Sequence, residues 1–252
     1  MKSILIIPSR LASTRLPLKP LHLMSGKPLI SHVYERANQS FKGRIVVACC
    51  DERVQKLIQS VGGEAILTDA NLPSGTDRIY DAYQKVGNGE DLIINLQGDM
   101  AIFPDDLIAN TCAVFEQMEC DVATAVCLLN GGYENPSNVK VAFDPCFVAK
   151  SDANNDSPVV FGRAHYFSRA AIPHNAAQYY KHIGLYIYTQ DALQQFVKAP
   201  VSALENTEQL EQLRGLSIGL RFGAVVVNGD YFSVDTLDDV IAVENYIAAK
   251  LA

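Results

Sequence analysis

Several features that mark whole classes of protein are missing from this sequence. The six cysteines include no C-x-x-C pair, which excludes the usual zinc and dithiol motifs and predicts reduced, mostly buried thiols. No apolar run approaches the ~20 residues of a membrane span. The first apolar run stops at Pro8, too early for a signal-peptide core. We therefore expect a cytoplasmic protein that does not enter a membrane.

An excess of positive charge is also missing. The chain has 21 basic and 28 acidic side chains and a formal net charge of −7. Proteins that bind nucleic acids usually carry a basic face, so a nucleic-acid partner is not expected. Neither G-x-G-x-x-G nor G-x-x-x-x-G-K-[ST] occurs, and no Ser–His–Asp or Cys–His set suggests itself. A dinucleotide fingerprint, a P-loop and an obvious covalent nucleophile are thus absent.

Over the first hundred residues, short apolar runs alternate regularly with segments whose apolar residues have the spacing of an α-helix. Predicted strands cover 3–8, 44–49, 64–67 and 91–96, and predicted helices cover 27–40, 52–61 and 77–86. This alternation implies a parallel sheet with right-handed crossovers. The pattern predicts an α/β fold with a mostly parallel sheet flanked by helices. No long linker interrupts the chain, so we predict a single domain over residues 1–252.

The second half is richer in strands and less regular, which indicates a smaller β-rich lobe over the edge of the first half. Its predicted elements are a helix at 104–118, strands at 121–128, 139–143, 147–150 and 182–188, a polar turn at 151–157, helices at 191–197 and 205–213, a strand at 224–227 and a helix at 237–251.

The first strand runs directly into a stiff basic loop. Arg10, Arg15 and Lys19 lie within ten residues, in a segment that also contains Pro17 and Pro20. Ligands of open α/β sheets bind at the carboxyl ends of the strands, so a polyphosphate is the obvious ligand for this loop. A solvated basic turn is the alternative, because runs of charge are usually surface features.

Two aspartates are candidate metal ligands. Asp99 follows the strand at 91–96, and Asp235 precedes the last helix. Mg²⁺ is usually held by one or two carboxylates that it shares with substrate phosphates. The ordinary alternatives are a turn residue for Asp99 and a helix cap for Asp235.

A third candidate site is the segment Ser74–Arg78, which opens a predicted helix. A turn that contains glycine before a helix offers backbone N–H groups to an anion or a base edge, and N-capping by Thr76 is the plain alternative. His182 lies in a strand-like run, where a lone histidine is more often structural than catalytic.

Together these segments resemble the 3-deoxy-manno-octulosonate (Kdo) cytidylyltransferases, also called CMP-Kdo synthetases. The matching segments occur in the family's order and span almost the whole chain: Arg10–Leu21, Gly26–Ile30, Ser74–Arg78, Gln97–Asp99, Tyr166–Pro173, Lys181–Tyr186, Leu210–Arg214 and Val234–Thr236.

The resemblance implies an enzyme that transfers CMP from CTP to the anomeric hydroxyl of Kdo and releases pyrophosphate, for lipopolysaccharide or capsule synthesis. It implies a mostly parallel, Rossmann-like nucleotide-binding sheet flanked by helices, with a smaller β-rich lobe that covers the sugar site. It also implies Mg²⁺ as the cofactor and a homodimer. The implied catalytic residues are Arg10, Arg15, Lys19 and Asp99. The implied nucleotide-binding residues are Ser13, Ser74, Gly75 and Arg78. The implied sugar-binding residues are Gln97, Arg169, His182, Glu211 and Gln212, and the implied metal ligands are Asp99 and Asp235.

The chain also departs from the family pattern. Leu18 stands where the family usually has glycine, Ser9 replaces a usual Ala or Gly, and Met100-Ala101 replaces Glu-Pro. Residues 144–162 match poorly, and the stretch after Pro173 is shorter than usual. These departures leave two alternatives open. One is a cytidylyltransferase for a related acidic sugar, such as 8-amino-Kdo or a nonulosonic acid, and the other is a nucleotide-binding paralogue without catalysis.

Overall fold

The computed structural model describes residues 1–11, 13, 15–149 and 158–251. The chain divides into two compact units, Met1–Asp105 with Gly229–Ala252, and Asp106–Asn228. That residues 1–252 act as one nucleotidyltransferase domain stays a prediction. The polar turn predicted at 151–157 lies outside the described residues.

The first unit contains the predicted alternation of strands and helices. Its elements up to residue 105 are β1 (Ser3–Ser9), β2 (Leu23–Met24), β3 (Lys27–Pro28), α1 (Leu29–Ser40), β4 (Arg44–Cys49), α2 (Glu52–Ser60), β5 (Glu64–Leu67), α3 (Gly75–Val86), β6 (Leu92–Leu96) and β7 (Met100–Ile102). Strands β5, β4, β1 and β6 lie side by side in this order, and each pair is parallel. Parallel strands are covered on both faces, which explains why the whole apolar run of β1 from Ile4 to Ile7 is buried.

Side-chain caps set the starts of two helices near this sheet. Asp51 caps α2, accepting a hydrogen bond from the N–H of Arg53 at 2.8 Å. The cap of α3 is Ser74, not Thr76, because Ser74 has an extended backbone and its Oγ accepts the N–H of Asp77 at 3.1 Å. Helix α3 therefore begins two residues earlier than the pattern predicts.

The second unit is rich in strands, as predicted. Its elements are α4 (Leu107–Gln117), β8 (Val122–Leu129), β9 (Lys140–Ala149), β10 (Val159–Ser168), β11 (Tyr179–Thr189), α5 (Gln190–Lys198), α6 (Ala203–Glu208), α7 (Gln212–Ser217) and β12 (Phe222–Val226). Its strands run in the order β11, β8, β12, β10, β9. The β8–β12 pair is parallel, and the β11–β8, β10–β12 and β9–β10 pairs are antiparallel. Strand β9 also pairs with β11.

For the second unit, the prediction missed one strand and was wrong about two other elements. Strand β10 was not predicted at all. The two strands predicted at 139–143 and 147–150 are one strand, because a bulge at Cys146 accommodates Pro145 beside Gly162. The helix predicted at 205–213 is two helices, because Gln209 takes a left-handed conformation with φ of 54°.

The chain then returns to the first unit with β13 (Phe232–Ser233) and α8 (Leu237–Leu251). Strand β13 pairs antiparallel with β7, and Ser233 lies opposite Met100. Because Asp99 directly precedes β7 and Asp235 closely follows β13, this pairing brings the two aspartates to the same end of the ribbon.

Two expectations from composition can be compared with the described residues. All six cysteines are free thiols, and burial raises the pKa of Cys49 to about 11 and that of Cys120 to about 12. These two thiols therefore stay protonated at neutral pH. Within the described part of the chain, no helix combines the length and apolar character needed to cross a membrane.

Candidate active site

The basic loop meets both candidate metal ligands within the first unit. The Nζ of Lys19 lies 2.7 Å from Oδ2 of Asp99 and 2.9 Å from Oδ1 of Asp235. The guanidinium of Arg15 lies 3.0 Å from the other carboxylate oxygen of Asp235. One ammonium group thus bridges the two carboxylates, and a second cation lies beside them.

This contact shifts the pKa of Lys19 and the pKa of Asp235 so that both favour their charged forms. Burial on its own lowers the pKa of Lys19, but attraction and hydrogen bonds to Asp99 and Asp235 outweigh burial, and its pKa is raised. Burial on its own raises the pKa of Asp235, but Lys19 and Arg15 outweigh it, and its pKa is lowered. Lys19 and Asp235 therefore face each other as an ammonium and a carboxylate at neutral pH.

The donor set fits Mg²⁺ bound together with phosphates. Asp99 and Asp235 each place an oxygen on the same Lys19 nitrogen, so both oxygens are within reach of one shared cation. Among the described residues, no group of three or more His, Cys, Asp or Glu side chains is arranged to hold a metal. Mg²⁺ usually takes only one or two carboxylates and completes its shell with waters and substrate phosphates.

The turn after β6 packs directly against the end of β1. A Cβ at Gly98 would lie 2.4 Å from the backbone oxygen of Pro8, so only glycine permits this approach. A Cβ at Gly75, the first residue of α3, would lie 3.5 Å from Oε1 of Gln97. The end of β1, the start of α3 and Gln97 are therefore neighbours, which puts one predicted sugar residue beside a predicted nucleotide residue.

Three other predicted residues of the first unit lie in different surroundings. Oγ of Ser13 accepts a long hydrogen bond of 3.4 Å from the N–H of Leu16, inside the basic loop. Arg10, just after β1, is exposed. Arg78 is only 2% exposed, and its guanidinium donates to Oγ1 of Thr68 and, at 3.0 Å, to the backbone oxygen of Asp69. Arg78 therefore supports the segment after β5 from inside the core.

In the second unit, the Arg169 side chain donates its hydrogen bonds to main-chain carbonyl oxygens. Its Nε donates to the oxygen of Glu208 at 2.8 Å, and its terminal nitrogens donate to the oxygens of Pro136 at 3.0 Å and Gln209 at 3.3 Å. The carboxylate of Glu208 in turn accepts the N–H of Arg169. This side chain ties two loops together.

Sequence reasoning missed Lys140, which supports the same loops. Its side chain is fully buried, and Nζ donates to the carbonyl oxygens of Asn135, Asn138 and Arg169. Burial and the nearby positive charge of Arg169 lower the pKa of Lys140. No local signal distinguishes this lysine from a solvated one at the start of a strand, because its three acceptors come from folded loops.

His182 is a satisfied, neutral core residue in this structure. Its Nε2 lies 3.0 Å from Oγ1 of Thr124, which donates its own proton to the oxygen of Leu185 at 2.7 Å. His182 must therefore donate from Nε2, which assigns the neutral tautomer. Burial lowers the pKa of His182 to about 3. Of the other predicted sugar residues, Gln212 is 3% exposed at the start of α7, and Glu211, just before it, is half-buried.

The comparisons with known proteins agree with this fold. The cytidylyltransferase family profile matches residues 4–222, so the chain is a member of the cytidylyltransferase class. The 3-deoxy-manno-octulosonate cytidylyltransferase of Paramagnetospirillum magneticum is 40% identical over 94% of each chain. The protein of that name from Rickettsia bellii is 38% identical over 98% of this chain and 97% of its own.

A solved structure extends the likeness to three dimensions. The structure of CMP:2-keto-3-deoxy-manno-octonic acid synthetase complexed with CTP matches with a TM-score of 0.87 and 34% identity. The match covers 99% of this chain and 100% of that one. The chain belongs to the family of 3-deoxy-manno-octulosonate cytidylyltransferases. The predicted family, the α/β fold class and the enzyme class are thereby confirmed.

Proposed function

We propose that this protein transfers CMP from CTP to the anomeric hydroxyl of Kdo and releases pyrophosphate. One observation carries the proposal: Lys19 and Arg15 of the basic loop meet Asp99 and Asp235 in a single cluster. Phosphate-binding cations beside Mg²⁺-binding carboxylates are what nucleotidyl transfer requires. The names of the relatives, and the CTP bound in the matching structure, support the choice of nucleotide and sugar.

The proposed chemistry depends on positioning and charge, with no covalent intermediate on the enzyme. Lys19, Arg15 and Arg10 hold the triphosphate and stabilise the negative charge that builds on the departing pyrophosphate. Asp99 and Asp235 would hold Mg²⁺, which when bound neutralises phosphate charge and orients the reacting groups.

The nucleoside is assigned to the start of α3. Gly75 is the first residue of that helix, where backbone N–H groups attract anions and base edges. We propose that Ser13, Ser74 and Gly75 line the nucleotide and that buried Arg78 supports them.

For the sugar acid we propose Gln97, Glu211 and Gln212 as contacts. Arg169 and His182 already bond to the protein, so we propose that they shape the sugar-binding region by holding its loops and strands. A homodimer, a cytoplasmic location and a role in lipopolysaccharide or capsule synthesis complete the proposal.

The direct test measures pyrophosphate release from CTP, Mg²⁺ and Kdo, with 8-amino-Kdo in parallel. Release that EDTA abolishes supports the transfer, and the ratio of the two rates identifies the sugar. CTP that raises the melting temperature without any release of pyrophosphate contradicts the proposal and favours the non-catalytic alternative.

A matched pair of variants tests the metal role. We expect Asp99→Asn to lose turnover by at least about 100-fold, because one of the two carboxylate ligands becomes neutral. The control Asp191→Asn neutralises an exposed aspartate in the first turn of α5 and should leave turnover unchanged. Near-normal turnover of Asp99→Asn contradicts the role of Asp99.

A further inference from the structure

The segment that carries Asp235 is anchored at three consecutive main-chain N–H groups. The N–H of Val234 donates to the backbone oxygen of Asp99 at 3.0 Å. The N–H groups of Asp235 and Thr236 both donate to Oδ2 of Asp239, at 2.9 and 2.8 Å. The backbone that directs the Asp235 carboxylate is therefore held by Asp99 on one side and by Asp239 on the other.

Part of this arrangement is an ordinary capping box at the start of α8. Asp239 accepts the N–H and the hydroxyl of Thr236, and Oγ1 of Thr236 accepts the N–H of Asp239 at 3.3 Å. A capping box needs only these reciprocal bonds between the cap residue and the residue three positions later. The bond from the N–H of Asp235 to Asp239 goes beyond the box and reaches the candidate metal ligand itself.

The side chain of Asp235 gives this extra bond a consequence. One of its oxygens contacts Lys19 and the other contacts Arg15, so these two cations help to fix the direction of the carboxylate. When Lys19 and Arg15 bind a triphosphate instead, the Asp235 carboxylate loses these two contacts. The hydrogen-bonded backbone of residues 234–236 then keeps the Asp235 carboxylate oriented toward the cation that it shares with Asp99.

We propose that Asp239 is a positioning residue that orients Asp235 for the divalent cation bound with CTP. Asp239 makes no ion pair with Lys19 or Arg15 among the described contacts, and it acts through the backbone of Asp235 and Thr236. This inference rests on the proposed function, since it assigns Asp235 to the metal.

The experiment compares Asp239→Ala and Asp239→Asn with a variant that removes a helix cap outside the site. Thr189→Ala is the matched control, because Thr189 caps α5 by accepting the N–H of Ala192 at 3.2 Å. The first measurement is the affinity for Mn²⁺ in the presence of CTP and the absence of sugar, determined by electron paramagnetic resonance. The second is the Mg²⁺ concentration that gives half-maximal pyrophosphate release.

We expect Asp239→Ala to weaken Mn²⁺ binding and to raise the Mg²⁺ requirement by about tenfold, as the loss of a group that orients a metal ligand does. Asp239→Asn retains one acceptor oxygen and should show a smaller loss of about threefold. Thr189→Ala should lower the melting temperature and leave Mn²⁺ binding unchanged.

Wild-type Mn²⁺ affinity in both Asp239 variants overturns the inference, and so does the absence of Mn²⁺ binding by the wild-type protein with CTP. If Asp239→Ala does not fold, wild-type affinity in Asp239→Asn alone overturns it. Weakened Mn²⁺ binding in a protein that releases no pyrophosphate with either sugar supports the role of Asp239 and refutes the proposed transfer, so the two failures are distinguishable.

Discussion

At the scale of single residues, Leu18 shows how a departure from the family pattern is accommodated. It has φ of 53° and ψ of 34°, a left-handed conformation directly before the short 3-10 turn that contains Lys19. Glycine adopts this conformation without a steric cost, whereas for other residues the conformation costs about 1–2 kcal/mol of free energy. The loop therefore keeps a glycine-like backbone although leucine occupies the position.

This conformation predicts the result of two substitutions at position 18. We expect Leu18→Gly to retain turnover and to change the free energy of unfolding by less than about 1 kcal/mol, since relief of strain offsets the greater freedom of the unfolded chain. Leu18→Val should be less stable than the wild type, because branching at Cβ adds strain in this conformation. Urea unfolding and pyrophosphate release measure both effects. A loss of turnover in Leu18→Gly would show that the leucine side chain itself has a role.

Ser9, at the end of β1, contains an unsatisfied hydroxyl. The residue is 4% exposed, and its Oγ has no hydrogen-bond partner among the described residues. A buried polar group without a partner costs about 1–3 kcal/mol.

We therefore expect Ser9→Ala to raise the free energy of unfolding by about 1 kcal/mol. Thr124→Val is the matched control, because it removes a buried hydroxyl that bonds to His182 and Leu185, and it should lower that free energy. Urea unfolding of both variants checks the pair. A less stable Ser9→Ala would mean that the hydroxyl has found a partner in solution.

At the scale of elements, bounds are predictable where local pattern and local chemistry agree. Strands β4 and β5 and helix α8 have the predicted bounds, and α2 begins at its predicted first residue, Glu52. Elements that depend on distant partners were missed: β10 is defined by pairing with β9 and β12, and β7 by pairing with β13. Position-by-position propensity contains no information on such pairing.

Lys140 is an element-scale restraint on the loops around β9. Its ammonium satisfies three carbonyl oxygens, from Asn135, Asn138 and Arg169. We expect Lys140→Met to lower the free energy of unfolding by about 3 kcal/mol, because three carbonyl oxygens lose a charged donor. The control Lys198→Met, at an exposed position in α5, should change it by less than about 0.5 kcal/mol. Similar stability of the two variants in urea would contradict the restraint.

At the scale of the whole molecule, the buried neutral His182 predicts how stability depends on pH. The pKa of His182 is about 3 in the folded chain, against an ordinary value of 6.5. The unfolded chain therefore binds more protons between these values, and stability falls as the pH falls below 6.5. Carboxylates whose pKa is lowered by folding, such as Asp121 and Asp235, lose their contribution only at more acidic pH.

We accordingly expect the wild-type protein to lose about 2 kcal/mol of stability between pH 7 and pH 5. His182→Gln retains a donor for Thr124 without titrating, so it should show a much shallower dependence. Urea unfolding at several pH values measures both slopes. Equal slopes in the two proteins would exclude His182 as the cause.

The sequence by itself determined the parallel alternation of the first unit, the basic loop after β1 and the placement of Asp99 at a strand end. Each follows from a period or spacing within one short segment, and parallel strands necessarily send their carboxyl ends to one edge. Only the tertiary structure decided that one ammonium, on Lys19, bridges Asp99 and Asp235, which lie 80 and 216 residues further along the chain. The tertiary structure also decided that the Lys140 and Arg169 side chains donate to main-chain carbonyl oxygens. The partners of such a charged group are set by packing, so local sequence does not show them.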